Sequence, residues 1–523
     1  MGTYPNMQRK KWPAIRRRKV AVAGAVSLVW LAGCATSALE MAPERPDRPW
    51  VPATTESGEI IAGAPQRHPT AEGYVLPANP VLRQVPSPPS VDTTRIYSLS
   101  ELIDLAESNN PATRIAWNDA RRAALAAGIA ESAFLPNITA TAIGGYQGSS
   151  GRQTALGTGF SNNSSLDGTV SALSLQWLLF DFGERAAVVA AAKQGSVISN
   201  IAFTAAHQRL IYSVTLAFYN RSAAQARFKT ATQSLKNAQD VQAAAEDRYK
   251  HSIGTVTEVA QARQATAQAN LAVVQATGGA QDAYLALITA MGISPLAKIK
   301  IADASGRKLS PSMATPVESI ISEALARRPD MQSAYAAQKA SLANVRAAEA
   351  EFLPKFFLST NGTYSSGDLD VTSLPSAGQQ PPTVNVSGNH LGGSIFAGVT
   401  VPLYDGGTRD AQLTRARAEA DSADARLTQV REDAVRQIVL ADNALHTSLA
   451  AYSASQTLEA AAQTTFDSAL AAYRNGVGSI TDLTLAETQL LQAKNASTDA
   501  YSTALSAAAT LALSTGALGA APE

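Results

Sequence analysis

From Ile395 through Ala397, Val399 and Val401 to Leu403, apolar side chains fall on alternate positions, with Phe396, Gly398, Thr400 and Pro402 between them. A period of two predicts a strand whose faces meet different surroundings. The strand runs into Tyr404-Asp405-Gly406-Gly407, after which the pattern becomes that of a very long, Ala-rich helix. The same grammar occurs earlier. Leu173, Leu175 and Trp177 alternate with Ser174 and Gln176, the run ends in Phe180-Asp181-Phe182-Gly183, and a long helix follows. Asp181 and Asp405 stand where an N-cap accepts free backbone N–H groups and where the positive helix end favours a carboxylate. Gly183, Gly406 and Gly407 complete this hinge, glycine allowing a sharp backbone turn. One such junction is an ordinary strand–loop–helix connection. Two in matching contexts mark an internal repeat.

The rest of the chain keeps step. Pro329 follows Pro111 by 218 residues and Pro354 follows Pro136 by the same interval, whereas Asp405 follows Asp181 by 224 and Tyr473 follows Tyr249 by 224. The six additional residues therefore fall in the second strand–strand loop, where an insertion is tolerated. Each half reads as helix, strand, strand, long helix and shorter helix. In the first half the strands are expected over Ile138 to Tyr146 and Val170 to Phe180, with a Gly/Ser/Asn-rich loop between Gly148 and Gly168. The helix after Asp181 spans about 65 residues, roughly 100 Å. Leu210, Val214, Ala231, Leu235, Ala238 and Ala245 hold its three-and-four spacing, a seam of small knobs.

The amino terminus differs in kind. Arg16-Arg17-Arg18-Lys19 precedes an apolar run from Val20 to Leu31, too short to span a bilayer comfortably, and Leu31-Ala32-Gly33-Cys34 closes it. This resembles a bacterial lipobox, with Cys34 as the lipidated first residue; a plain signal anchor with an incidental cysteine is the alternative. Residues 35 to 95 are polar and rich in proline and read as an extended tether. The expected domains are a signal peptide (1–33), the tether (34–98), two structural repeats (99–300 and 301–516) and a short tail (517–523).

Composition adds exclusions. A net charge of +1 over 523 residues gives no electrostatic case for nucleic acid. One cysteine excludes a disulfide framework within the chain. The five histidines (His68, His207, His251, His390 and His446) show no ligand spacing, and no nucleophile or phosphate-binding motif is present, so neither catalysis nor a metal or organic cofactor is expected.

Two strands of about ten residues per half suit a tilted transmembrane β-strand. Four strands cannot close a barrel and lipid admits no open sheet edge, so strands placed in lipid require several copies of the chain. The helices read as too polar to cross a bilayer and long enough to form a tube in water.

The order, spacing and duplication of Asn109-Asn110-Pro111 and Arg328-Pro329-Asp330, of Leu135-Pro136 and Leu353-Pro354, of the two hinges, and of the far turns at Gly254 to Glu258 and Gly476 to Asp482 resemble the TolC-like outer-membrane efflux family over about residues 99 to 516. That resemblance implies an α+β membrane protein: a homotrimer whose twelve-stranded outer-membrane barrel, four strands per chain, continues into a long α-helical periplasmic tunnel. It implies partners too, namely outer-membrane lipid, a periplasmic adaptor (membrane fusion) protein and an inner-membrane pump of the RND or ABC type. It places the closed tip at the far turns, with Asp482, Tyr473 and Glu258 as gate residues. Three-fold symmetry would make Asp482 a ring of carboxylates able to select cations, although a first-turn acid is also an ordinary helix stabiliser. Leu485 stands where the family has a second ring aspartate, and Gly478 where it has a gate-locking arginine. The expected function is the passive exit duct of a tripartite efflux system. The exit duct of a type I protein secretion system is the alternative, and a coiled-coil lipoprotein without a pore is a third reading that leaves the strands unexplained.

Overall fold

The structure is a computed structural model that describes residues 39, 41–43, 45–64, 73–83, 91–155, 158–304, 309, 317–367, 369–371, 384–386 and 388–519. Contacts divide the chain into two units, residues 1–87 and 88–523. In the first, β1 (Ala53–Thr54) and β2 (Ile60–Ile61) form a small antiparallel hairpin within the expected tether, and the Trp50 indole N–H donates to the Met41 carbonyl at 3.1 Å. Cys34 lies outside the described residues.

The second unit opens with β3 (Ile96–Tyr97), α1 (Leu99–Asn109) and α2 (Pro111–Ser132). Ser98 caps α1 in a capping box with Glu101, and Asn110 caps α2 through Oδ1, which accepts from Ala112 N at 2.9 Å. Then follow β4 (Asn137–Ala155), β5 (Thr158–Phe180), α3 (Glu184–Lys250), α4 (Val256–Ala290) and β6 (Lys300–Ile301), which pairs in parallel with β3. The second half supplies α5 (Val317–Arg327), α6 (Pro329–Ala350), β7 (Lys355–Gly367), the short β8 (369–371) and β9 (Val384–Val386), β10 (His390–Thr400), α7 (Thr408–Arg474) and α8 (Ile480–Ser514). The ends of α5 and α6 lie 218 residues beyond those of α1 and α2, and the ends of α7 and α8 lie 224 beyond those of α3 and α4. Contacts recur at the same interval with different chemistry. The Asn110 amide donates to Ala290 O at 3.2 Å, and the buried Arg328 guanidinium donates to Ser514 O at 2.7 Å.

The long helices pack through small side chains: Ala231, Ala238 and Ala245 of α3 and Ala262 and Ala269 of α4 are buried. A larger core sits where α1, α3 and α4 meet, around Leu102, Val214, Phe218, Leu287, Ile288 and Met291. One window of α3 is apolar enough to cross a membrane by length and composition, with a mean hydropathy of 1.2, and only 11% of it is buried within the chain. The expectation that every helix is too polar is corrected for that window. A 67-residue helix runs on about 100 Å, far past any bilayer, so the window is read as a packing face.

Among the described residues, one four-stranded antiparallel sheet has the order β10-β7-β5-β4, leaving β4 and β10 as open edges. The first hairpin is longer than its alternating pattern predicts. Pairing continues from Asn137↔Gln176 to Ala155↔Thr158, through the Gly/Ser/Asn-rich run expected to be a loop. Backbone pairing tolerates such residues, and an alternating apolar pattern marks only the part of a strand that meets an apolar phase.

Candidate functional site

The register sorts the sheet into two faces. Ile138 lies opposite Leu175, Leu175 opposite Thr360, and Thr360 opposite Ile395, so these share one face with Leu173, Trp177, Leu358, Leu391 and Val399. The other face carries Thr139, Ser174, Gln176, Ser359, Asn361, Thr363 and Ser394. One side is therefore aliphatic and aromatic and largely exposed, while the other is hydroxyl- and amide-lined. This side also carries apolar groups: Phe396 opposite Ser359, Ile143 opposite Val170, and Phe357 over its partner Gly398, where a Cβ would come within 2.5 Å of the ring.

At the hinge, the N-caps of α3 and α7 are Gly183 and Gly407, two residues later than expected, with φ of 97° and 88°. The aspartates act from before the cap. Asp181 accepts from the backbone N–H of Gly183 at 3.3 Å and of Arg185 at 2.9 Å; Asp405 accepts from Gly407 and Arg409, each at 3.1 Å. Each also binds an arginine that the sequence reading missed. Arg185 Nε lies 2.8 Å from Asp181, and Arg409 Nε 2.7 Å from Asp405. The guanidinium then reaches back to the preceding strand, at Leu178 O (2.6 Å) in one half and Pro402 O (3.0 Å) in the other. It also stacks on the aromatic ring ahead of the Leu-Pro pair, Phe134 at 4.7 Å and Phe352 at 5.5 Å. One arginine thus ties helix, strand and preceding turn together. A signal was available, since both arginines stand four residues after their aspartates. The halves differ at one backbone position: Gly406 has φ 71°, and its counterpart Phe182 has φ 52°, a conformation bulky residues rarely adopt. Phe182 is held there by edge-to-face contact with Phe180 at 4.7 Å.

At the far end, Thr255 caps α4 by accepting from Glu258 N at 3.2 Å, and Ser479 caps α8 by accepting from Asp482 N at 3.1 Å. Asp482 in turn accepts from the Ser479 hydroxyl at 2.7 Å and is exposed, as is Leu485. Tyr473 is 1% exposed, packed among Val241, Ala245, Phe466, Ile480 and Leu483. Burial, and secondarily the charge of Glu258, push its phenol up against the opposing effect of Arg248. The structure thus brings Tyr473 and Glu258 together and adds Arg248. Arg248 donates to Tyr473 O at 3.1 Å, and its guanidinium sits 5.1 Å from the ring centre. Glu258 Oε2, Arg248 Nε and the Tyr473 hydroxyl are buried with no hydrogen-bond partner among the described residues. Gly478 has a steric reason, because a Cβ would lie 3.0 Å from Ala472 Cβ and Tyr473 N. Arg248 was hidden from repeat comparison because its counterpart is Ala472. Further along α8, Glu487 is buried against α3, accepts from Ser234 at 3.3 Å, and is pushed up to about 7 by burial.

A sheet with one mostly apolar and one mostly hydroxyl-lined face, open at both edges among the described residues and joined by hinges to helices of about 100 Å, suits the wall of a membrane channel that continues into a helical tunnel. The outer membrane efflux protein family matches residues 102–293 and 320–517, and the chain belongs to that family. Protein CyaE of Bordetella pertussis is 28% identical over 429 residues, covering 82% of this chain and 84% of that protein. Outer membrane protein OprJ of Pseudomonas aeruginosa is 26% identical over 344 residues, covering 65% and 67%. Among solved structures, the outer membrane protein VceC of Vibrio cholerae superposes with a TM-score of 0.66 at 22% identity, over 80% of this chain and 96% of that one. The protein is an outer-membrane channel for efflux.

Proposed function

We propose that three copies of this chain form the exit duct of a tripartite efflux system. Each would give four strands to a twelve-stranded barrel and a tandem-duplicated set of helices to the tunnel below it. The duct would pass small molecules delivered by an inner-membrane pump through a periplasmic adaptor. The two-faced sheet with open edges β4 and β10 carries this reading, because in lipid each edge group must find a hydrogen bond and, among the described residues, the chain's own strands leave both edges unpaired. The hydroxyl-lined face then becomes a wet lumen and the apolar face meets acyl chains.

Within this reading Cys34 is the lipidated amino terminus, and residues 34–98 tether it to the channel. Tyr473, Glu258 and Arg248 hold the tip closed, and Asp482 contributes one carboxylate per copy near the axis. The decisive experiment combines native mass spectrometry of the detergent-extracted protein with single-channel recording in planar bilayers. A trimer that conducts is expected; a monomer, or a trimer that never conducts, overturns the proposal. Co-purification with a drug-pump adaptor is expected as well. Co-purification with a protein-secretion adaptor in its place would assign the same duct to type I secretion.

A further inference from the structure

The short helices α2 and α6 carry matching strips of side chains. On α2 the strip includes Arg114, Trp117, Arg121 and Glu131; on α6, Tyr335, Lys339 and Glu349 stand 218 residues after the last three, and Arg346 joins them. Spacings of three, four and their sums keep each strip on one side of its helix. In each, an exposed aromatic ring lies under the cation four residues on. Arg121 stands 4.6 Å from the centre of the Trp117 ring, and Lys339 stands 4.3 Å from that of Tyr335. Trp117 is 48% exposed and Tyr335 51%. At the far end of each strip a long helix supplies the acid with a cation: Lys193 pairs with Glu131 at 2.7 Å and Arg417 with Glu349 at 3.2 Å. With these partners each strip sets three cations against one acid, in a chain whose net charge is only +1. Arg114 and Arg346 are exposed and form no ion pair among the described residues.

The helices do not use these strips to pack. Their buried positions, Ala127, Ala336 and Ala343 among them, lie on other sides. Both strips also sit at one level. Trp117 precedes the end of α2 at Ser132 by 15 residues, and Tyr335 precedes the end of α6 at Ala350 by the same number, about 22 Å of helix short of the turns into β4 and β7.

We infer that the two strips form a docking surface for the cell-wall glycan, with sugar faces on Trp117 and Tyr335 and the wall's carboxylates on the Arg and Lys side chains around them. The inference rests on the channel proposed above, which puts this level about 20 Å into the aqueous space below the sheet, where a duct must pass through the wall mesh. An aromatic ring left in water offers an apolar plane to the C–H faces of pyranose rings. The cation beside it remains free to bind a carboxylate. A peptide-bearing glycan supplies both chemistries along one polymer. A protein partner would call for a core depleted of charge, whereas here charges separate the rings. Size supports an outward placement of the strips. The sides opposite them are small, with Ala112, Asp119 and Ala126 on α2 and Asp330, Ala337 and Asn344 on α6. A closed tube has less room on its concave side, so the small side chains line the lumen and the rings face the wall. Two strips per chain repeat the contact around a trimer, and repetition makes weak single contacts hold a polymer firmly.

The test is co-sedimentation of the detergent-solubilised full chain with purified Gram-negative sacculi stripped of protein. The parent is expected in the pellet. Trp117→Ala/Tyr335→Ala should bind roughly fivefold more weakly. Arg121→Gln/Lys339→Gln should also bind more weakly and with a shallower dependence on salt. Both variants should conduct as the parent does in planar bilayers, because the strips lie away from hinge and tip. Should the alanine variant fail to assemble, Trp117→Leu/Tyr335→Leu asks the same question with the side-chain volume largely kept. A trimeric parent that conducts but stays in the supernatant overturns the inference. Variants that all sediment as the parent does overturn it too, because the contact then lies elsewhere. Loss confined to the charge variant, with the ring variants unchanged, leaves only a generic polyanion surface and overturns it as well. A parent that neither forms a trimer nor conducts overturns the reading beneath it.

Discussion

The hinge and the tip treat the two halves of the chain in opposite ways. At the hinge both halves use the same parts: an aspartate before the cap, an arginine four residues on, and a phenylalanine beneath it. At the tip the halves diverge, with Tyr473 buried under Arg248 while Tyr249 is half exposed and the residue that corresponds to Arg248 is Ala472. A constraint that both halves share is geometric, because every strand entering the barrel must turn into its helix at one angle. Where the halves differ, the constraint is imposed from outside a single half. The tip is such a place.

The largest expected effect lies at the hinge. Arg185→Ala leaves the buried Asp181 carboxylate without its ion pair and should destabilise by about 3–5 kcal/mol. Asp405 is 32% exposed on its side chain, so Arg409→Ala should cost clearly less than Arg185→Ala. Urea unfolding of the two variants in detergent compares them directly. Equal losses would mean that burial does not set the difference between the hinges.

Next comes the pH dependence of Glu487. Its folded carboxyl, raised from 4.5 to about 7 by burial, favours the protonated form. The stability it contributes is fully present below about pH 4.5 and is lost as pH rises through about 7, a change on the order of 3 kcal/mol. Unfolding midpoints between pH 4.5 and 8 should fall for the parent and stay flatter for Glu487→Gln; parallel profiles would place the titration elsewhere.

At the tip, Arg248→Ala should raise single-channel conductance, because it removes the link between α3 and the carbonyl of Tyr473. Tyr473→Phe alone should change conductance little and stability by about 1 kcal/mol or less, since its hydroxyl has no partner to lose among the described residues. The reverse ranking would make the phenol, and not the guanidinium, the closing group. The smallest change is expected from Asp482→Asn, a few tenths of a kcal/mol through the helix end, together with weaker cation preference in the reversal potential. Unchanged preference would reduce Asp482 to the capping role its bond with Ser479 displays.

The sequence by itself determined the order of elements, the repeat interval and the position of both hinges. These depend on local rules, namely period two against three-and-four spacing, glycine at turns, and aspartate at helix starts. It also singled out Tyr473 and Glu258, whose charge acts on the Tyr473 phenol. It missed the length of the first hairpin, since strand pairing continues through Gly148 to Ala155 with no alternating apolar pattern to reveal it. It placed the helix caps two residues early, because an N-cap is defined by backbone angles, and only folding showed Gly183 and Gly407 in the left-handed region. Arg185 and Arg409 had a local signal in their aspartates four residues earlier, but their reach to strand and turn, like the whole role of Arg248, was decided by tertiary structure. Their partners are strand carbonyls, a ring ahead of the Leu-Pro pair and a carbonyl 225 residues away, contacts that exist only once distant segments are packed side by side. Local chemistry writes elements into a chain, whereas a long side chain acquires its role from whatever the fold brings within its reach.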